Sequence, residues 1–385
     1  VQASARATRV LFFRQGSFSH INDRVAGWLR EQFPRHELVE VDVLRDILKP
    51  ARAVVFRAAA EAAVRYSPRI AGGERDFRDL FYRTPFIFRA IRRLVAEKYR
   101  PLAQSCLFSI QTQSLYDAGI EGLPHFLYTD HTHLANLRYP GSSRARLFSK
   151  SWVECETSLY QRARANLVMS EFIRQSLIED YRCEPARIAV VGAAPNLAAP
   201  DRLPENGDYS NRTILFVGVD WERKGGPIVL DAFRRALETL PDARLIIAGS
   251  SPRVELPNVE IAGRVALPEI SRLLLRSSVL ALPSLREPQG VNVIEALMHR
   301  IPVVASSIGA LPEMVEDGRT GFIVPPNDPR ALAAALIRLL SDPALCRQFG
   351  EAGRESAMSR YSSATVSRRL GEAIRSSLSL LAPAA

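Results

Sequence analysis

Residues Val279–Ser306 read VLALPSLREPQGVNVIEALMHRIPVVAS. Val279–Pro283 and Pro302–Ser306 are short, almost unbroken apolar runs of strand length, and Val291–Arg300 between them has helical periodicity. The loop SLREPQG, broken by Pro288 and Gly290, joins the first strand to the helix. Strand, helix and strand in this order predict a βαβ crossover. Strands that are apolar at every position are covered on both faces. The stretch therefore predicts a parallel sheet with helices on either side.

The same alternation runs outward from it. Strand-like runs occur at Thr213–Val219, Arg244–Gly249, Val259–Ala262 and Gly321–Val324, with helical segments at Pro227–Leu240, Pro268–Ser277 and Leu311–Glu316. In the first half, Val10–Phe13, Leu38–Val41, Cys106–Ile110, His125–Thr129, Leu167–Met169 and Ile188–Val191 read as strands. Helices are expected at Asn22–Gln32, Arg52–Tyr66, Phe86–Tyr99, Glu154–Ala163 and Glu171–Tyr181. After Pro329 the chain reads as helical, with periodic segments at Ala331–Leu340 and Thr365–Leu381. Between the halves, Ala193–Arg212 is rich in Pro, Asn, Asp and Gly and reads as a linker. The expectation is an α/β protein of two doubly wound domains. The first spans 1–198, the linker 199–211 and the second 212–361; the last helix, 362–385, is a candidate to pack back on the first domain. In such sheets ligands bind beyond the carboxyl ends of the strands.

The bulk properties agree with this class. The chain has 385 residues, enough for two or three domains at roughly 100–200 residues each. No apolar run approaches the roughly 20 residues that span a bilayer. The opening VQASARATR lacks the apolar core of a signal peptide, and the absence of an initial Met leads us to expect a trimmed start. Cys106, Cys155, Cys183 and Cys346 are scattered without a C-x-x-C pair, which argues against a zinc site or a disulfide scaffold and for a reducing, cytoplasmic setting. The net charge of +10 is concentrated: Arg45–Arg100 holds 14 Lys/Arg against 6 Asp/Glu. Such a block suits nucleic acid, an anionic membrane or an acidic substrate, or is plain solvated surface. No nucleic-acid module accompanies it, so nucleic acid is not an expected partner. No G-x-G-x-x-G follows a strand, which disfavours a Rossmann dehydrogenase.

Glu287 lies on the loop after the Val279 strand, and Glu295, eight positions later, lies inside the following helix. Gly290 opens that helix, whose free N–H groups and partial positive charge attract phosphate. Carboxylates on either side accept hydrogen bonds from hydroxyls. The spacing suits a ligand with a diphosphate in the middle and polyols at both ends. Each acid also has a plainer reading, a helix-capping acid for Glu287 and an ordinary helix acid for Glu295.

In context the pattern is specific. Pro283–Leu336, PSLREPQGVNVIEALMHRIPVVASSIGALPEMVEDGRTGFIVPPNDPRALAAAL, closely resembles the signature region of the family 4 retaining glycosyltransferases. Ile214–Leu237, ILFVGVDWERKGGPIVLDAFRRAL, resembles that family's first donor-domain strand and helix. Arg162–Leu197 resembles the end of its acceptor domain. The likeness is strong from about Ala165 to Tyr361 and weak before it.

The resemblance implies the GT-B fold, two Rossmann-like domains facing across a cleft. It implies transfer of a sugar from a nucleotide diphosphate sugar, UDP- or GDP-linked, to a hydroxyl acceptor with retention. Glu287 and Glu295 match the family's E-x7-E pattern. Glu287 would hydrogen-bond the donor sugar near the reacting centre, and Glu295 would take the ribose hydroxyls. Arg223 and Lys224 would neutralise the diphosphate, and the backbone of Gly290 and Val291 would hold the distal phosphate. Arg264, in the IAGRV loop, lies where the family cradles the base. In the first half His131, in DHTH after the His125 strand, would contact the donor sugar. Gly16, in the loop RQGSFSH, would also face the ligand. Plainer readings are a surface Lys224, loop histidines at 131 and 133, and simple turn duty for Gly16. Ser170 and Asn196 are further candidates. No metal or other cofactor is implied.

Three departures stand out. Val219 follows Gly218 where the family often has Arg. One glycine, Gly16, stands where two are common. Gln289 precedes Gly290 where Phe is common, which leaves the sugar open. The alternatives carried forward are a GT-B nucleotide-sugar epimerase and a basic nucleic-acid-binding protein. The acceptor is expected to be lipid-linked or a saccharide. Thr84–Pro101, TPFIFRAIRRLVAEKYRP, reads as a basic amphipathic helix. Phe88, Ile91, Leu94 and Val95 on its apolar face would either meet an anionic membrane or pack on the first sheet, the simpler reading.

Overall fold

The computed structural model describes residues 7–16, 18, 20–71, 77–200 and 209–379. Parts of the expected linker (201–208), of the RQGSFSH loop (17 and 19) and of the last helix (380–385) lie outside the described residues.

The first sheet contains β1 (Arg9–Arg14), β2 (Glu37–Asp42), β3 (Cys106–Thr112), β4 (His125–Thr129), β5 (Ala165–Val168) and β6 (Ile188–Val190), in the order β2-β1-β3-β4-β5-β6. The second contains β7 (Thr213–Val217), β8 (Arg244–Ala248), β9 (Val259–Gly263), β10 (Val279–Leu282), β11 (Val303–Ser306) and β12 (Gly321–Val324), in the order β12-β11-β10-β7-β8-β9. Every pairing is parallel. All four residues of β10 are buried, as a strand covered on both faces must be. The order of the second sheet turns between β7 and β10, and that of the first between β1 and β3. At such a switch the crossover helices leave on opposite faces and open a crevice at the strand ends.

Proline and short polar caps punctuate the helices. Pro85, Pro227, Pro268, Pro312, Pro329 and Pro343 each occupy the first or second helical position, where a missing N–H costs nothing. Thr84, Asp328 and Asp342 accept from backbone amides of the first turns. Helix boundaries shift from expectation by a few residues: the helix expected at Glu154 begins at Lys150, and Phe86–Tyr99 becomes Pro85–Ala103. A wide π-type turn at Val43–Leu48 has no counterpart in the sequence reading.

The chain folds into two compact units. One comprises Val1–Leu137, Ser143–Val191 and Ser367–Ala385; the other Arg138–Ser142 and Gly192–Val366. The boundary therefore falls before Gly192, not after residue 198. The reason is local: the amides of Asn196 and Leu197 donate to Glu295 Oε1 at 2.8 and 3.3 Å, and Arg354 donates to the Pro200 carbonyl at 3.1 Å. The last helix, Ser363–Ser379, belongs to the first unit from Ser367 on. Gln32 Nε2 donates to Ser367 Oγ at 3.2 Å, Ser367 Oγ to Glu31 at 2.9 Å, and Arg164 Nε to the Ser377 carbonyl at 2.8 Å. Gly371 permits the approach, since a Cβ there would stand 2.4 Å from Gln32 Oε1.

The apolar face of helix Pro85–Ala103 belongs to the core. Phe88, Ile91 and Val95 are buried and Leu94 packs beside them. That face is closed to a membrane, while Arg89 and Arg93 remain exposed. Among the described residues no helix is long and apolar enough to cross a membrane.

Candidate active site

Three loops of the second unit meet beyond the carboxyl ends of β7, β10 and β11. The loop after β7 carries Arg223 and Lys224, and the loop after β10 carries Ser284–Gly290. Backbone geometry locks them together. Leu285 N donates to the Arg223 carbonyl at 2.9 Å. Gly225, at φ 80°, lies so close that a Cβ would stand 2.1 Å from the Pro283 carbonyl. Gly309, at φ 54°, brings the loop after β11 equally near, 1.9 Å from a built Cβ to the Glu287 carbonyl. Neither position tolerates a side chain, so these glycines fix the loop spacing. Ser306 Oγ donates to the Ser284 carbonyl at 2.6 Å, and Asn292 Nδ2 to the Val217 carbonyl at 3.1 Å.

At the centre sits Glu287, 6% exposed. Lys224 Nζ donates to its Oε2, Arg223 Nη1 lies 3.7 Å from the same oxygen, and Ser284 Oγ donates to it at 3.3 Å. The Gly290 amide donates to Oε1 at 3.2 Å. Burial alone would raise the carboxyl's pKa. The charges of Lys224 and Arg223, with the hydrogen bonds from Lys224 and Gly290, outweigh it and hold Glu287 below the ordinary 4.5. The carboxylate is thus ionised and already occupies the mouth of helix Val291–Met298 as an anion would. Arg223 is steadied by Asp220 at 3.1 Å and by the Arg286 carbonyl at 2.8 Å.

The structure thus brings Glu287, Lys224, Arg223 and Gly290 together. Glu287 accepts the amide of Gly290, the residue that precedes the helix, and pairs with the two cations. Gly290, at φ 72°, donates its amide to Glu287 Oε1. The amides of Val291 and Asn292, in the first helical turn, lie beyond the reach of the intrahelical pattern. Glu295 is buried, and its Oε1 accepts the Asn196 and Leu197 amides, a tie the sequence did not suggest. Arg264 is exposed at the end of edge strand β9, and among the described residues its guanidinium makes no ion pair.

The remaining candidates stand in the first unit. His131 follows β4; its carbonyl accepts from Thr129 Oγ1 at 2.9 Å and Tyr160 OH at 3.3 Å. Gly16, at φ 55°, follows β1, and its carbonyl accepts from Asn22 Nδ2 at 2.7 Å, so turn duty is part of its role. His133 is structural: its Nε2 accepts from the Phe148 amide at 2.9 Å and its ring packs on Trp152. Ser170 caps helix Glu171–Glu179. Among the described residues no group of three or more His, Cys, Asp or Glu is placed to hold a metal ion. Sequence reasoning missed Ser284, Asn292 and Gly309; a Ser, an Asn and a Gly near strand ends carry no distinctive spacing.

Comparison with known proteins now bears on this site. Residues 211–342, which hold the whole cluster, match the family described as glycosyl transferases group 1. The match lies in this segment, about a third of the chain. The chain is similar to alpha-maltose-1-phosphate synthase of Mycolicibacterium smegmatis, 31% identical over 58% of this chain and 66% of that protein. It is also similar to phosphatidyl-myo-inositol mannosyltransferase of Mycobacterium leprae, 30% identical over 47% of this chain and 49% of that protein. The chain thus spans between about half and two thirds of these relatives' lengths. Among solved structures, Anabaena HepE in complex with UDP and glucose matches with a TM-score of 0.66 over 96% of this chain and 100% of that one, at 17% identity. That likeness speaks to the fold: the chain is α/β, two Rossmann-like units of the GT-B class.

Proposed function

We propose that the protein moves a sugar from a nucleoside-diphosphate sugar, with UDP or GDP as the base-bearing half, to a hydroxyl acceptor, retaining the anomeric configuration. The observation that carries this reading is the Glu287 carboxylate bound by Lys224, Arg223 and the Gly290 amide inside the family segment.

One carboxylate here engages two cations. A diphosphate entering beside helix Val291–Met298 competes for them. As the bond to the anomeric carbon breaks, the leaving diphosphate gains charge, and Lys224 and Arg223 stabilise it without rearranging solvent. Glu287, released in part, accepts a hydrogen bond from a donor-sugar hydroxyl, and its lowered pKa keeps it ionised for that purpose. The leaving phosphate oxygen takes the acceptor's proton on the same face, so no side-chain base is assigned. His131 is proposed to contact the donor sugar, Glu295 the ribose, Arg264 the base, Val291 the distal phosphate, and Gly16 the ligand from the first unit. The two cations do the work of a metal ion, and the reaction proceeds without one. One relative is named for mannosyl transfer to a phosphatidyl-myo-inositol, which supports a lipid-linked or saccharide hydroxyl as the acceptor here; a cytoplasmic, membrane-peripheral setting is part of the same proposal.

A donor screen read by thermal shift tests the proposal. A ligand at about 100 times its dissociation constant stabilises by about 2.7 kcal/mol. We expect one nucleoside-diphosphate sugar to stand out and to be consumed only with acceptor present, in excess EDTA. Conversion of donor alone to an epimer would replace transfer by epimerisation. Activity lost to EDTA and restored by magnesium or manganese would refute metal independence.

A further inference from the structure

The first unit carries a surface feature that its fold does not explain. Helix Arg52–Arg65 buries Ala58 and Ala62 and packs Val54 and Val55 on the core, but turns two large apolar side chains outward: Phe56 is 78% and Val64 80% exposed. With the exposed Ala60 between them they form one stripe at i, i+4 and i+8 along the helix. A helix that served only the core would carry polar residues at these outward positions.

Beside the stripe runs a groove of about 1010 Å³, shared with helix Pro85–Ala103, whose walls include Arg57, Glu61, Arg65, Arg89 and Arg93. Glu61 is engaged by Arg65 at 2.8 Å, and Arg93 lies 3.5 Å from Glu97. The Arg57 guanidinium lies 4.6 Å over the Phe86 ring, and among the described residues neither Arg57 nor Arg89 has a carboxylate partner. The groove is therefore strongly cationic; Ala60 and Val64 of the stripe line it, and Phe56 stands one turn before them on the same helix.

We propose that this face of the first unit docks on an anionic lipid surface. Phe56 and Val64 enter the boundary between headgroups and acyl chains, and Arg57, Arg89 and Arg93 bind lipid phosphates. Charge complementarity selects an anionic partner. Isolated protruding apolar side chains beside basic ones suit a fluid interface, which moulds around them, better than a protein surface, which would need matching pockets. The assignment moves the membrane contact from the apolar face of helix Pro85–Ala103, which is core, to the neighbouring helix. It does not depend on the sugar-transfer reading, since its test measures binding, not turnover.

The full chain is sedimented with phosphatidylcholine vesicles and with vesicles containing one anionic phospholipid in place of part of the phosphatidylcholine. We expect selective binding to the anionic vesicles that weakens as salt is raised. The triple variant Arg57→Ser, Arg89→Ser, Arg93→Ser should lower the partition coefficient by about 100-fold. The double variant Phe56→Ser, Val64→Ser should lower it by about tenfold or more while leaving the salt dependence in place. These side chains lie at the surface, so thermal unfolding should match the parent and show that both variants are folded. Glycerol phosphate in solution should not compete, which separates a lipid surface from a free phosphate ligand. Equal binding to neutral and anionic vesicles, or variants that bind as the parent does, would overturn the proposal. So would tighter binding to soluble polyglutamate than to anionic vesicles, which would assign the face to an acidic protein.

Discussion

Each unit buries a glutamate at the edge of its core, and the two are held in opposite directions. Glu287 has Lys224 and Arg223 beside it, and its pKa lies below the ordinary value. Glu156, 1% exposed, is surrounded mainly by hydroxyls: Tyr181 OH donates to Oε2, and Ser114 Oγ and Tyr160 OH donate to Oε1 at 2.8 and 3.2 Å. Burial dominates there and raises its pKa, with the Tyr181 hydrogen bond, the charge of Arg83, the Ser114 hydrogen bond and the His133 amide offsetting only part. Equal burial therefore says nothing about role. A carboxylate held by cationic side chains at strand ends can yield those cations to an anionic ligand. One held by hydroxyls of packed side chains joins helix Lys150–Arg162 to the segments around Ser114, His133 and Tyr181, and serves stability.

Substitution by glutamine should separate the two most sharply in turnover. Glu287→Gln removes the charge that orders Lys224 and Arg223 and the acceptor proposed for the sugar. We expect sugar transfer to fall by about 100- to 1000-fold, the scale of a lost electrostatic contact at a reacting centre, in a folded protein. Glu156→Gln should leave transfer within a few fold. Near-parental turnover for Glu287→Gln, or a collapse for Glu156→Gln, would break the comparison.

Glu295 sharpens it, because its Oε1 accepts two backbone amides. Glu295→Ala should weaken binding of the free nucleoside diphosphate by about 1–3 kcal/mol, as for a lost charged hydrogen bond. Calorimetry with UDP and GDP measures it. Unchanged affinity would mean that Glu295 serves only to hold the segment around Asn196.

The third test is pH. A carboxyl whose pKa is raised on folding favours the folded state in its protonated form. Its contribution is therefore present below the unfolded value near 4.5 and is lost as pH rises through the folded value. Glu287 runs the other way, its contribution present above 4.5 and lost as pH falls through the depressed value. Glu156→Gln keeps a neutral side chain at every pH. Relative to the parent it should gain stability at about pH 8 compared with about pH 4 in denaturant titrations, the sign opposite to Glu287→Gln. Parallel pH profiles for parent and Glu156→Gln would show that the hydroxyls keep Glu156 ionised after all.

The fold was legible because its signals are periodic. Apolar runs such as VLAL and ILFV, separated by proline-started helices, announce buried parallel strands wherever they occur. Glu287, Lys224 and Arg223 were legible through motif resemblance, although 63 positions separate Lys224 from Glu287 and no periodicity links them. What stayed hidden depends on where loops fold. The tie of Asn196 to Glu295 decides which unit residues 192–200 join, and the exposure of Phe56 reverses the helical pattern a reader expects. The turn at Val43–Leu48 has a repeat too wide for the helical template.

The smallest expected effect falls on Gln289, the residue that departs from the family pattern between Glu287 and Gly290. It is 4% exposed, and among the described residues neither its Nε2 nor its Oε1 has a hydrogen-bond partner. A buried amide left so costs about 1–3 kcal/mol. Glu287 has its cations and Glu156 its hydroxyls, whereas Gln289 has a polar group without either, in the loop where a donor sugar is proposed to sit. A sugar hydroxyl would satisfy it. Gln289→Leu keeps the volume roughly and removes both polar atoms. Without ligand the variant should therefore be more stable than the parent by about 1 kcal/mol. The nucleotide sugar should then stabilise it less than it stabilises the parent, while the free nucleoside diphosphate stabilises both alike. A variant less stable than the parent would mean that ordered water already satisfies the amide, and Gln289 would join Glu156 on the structural side.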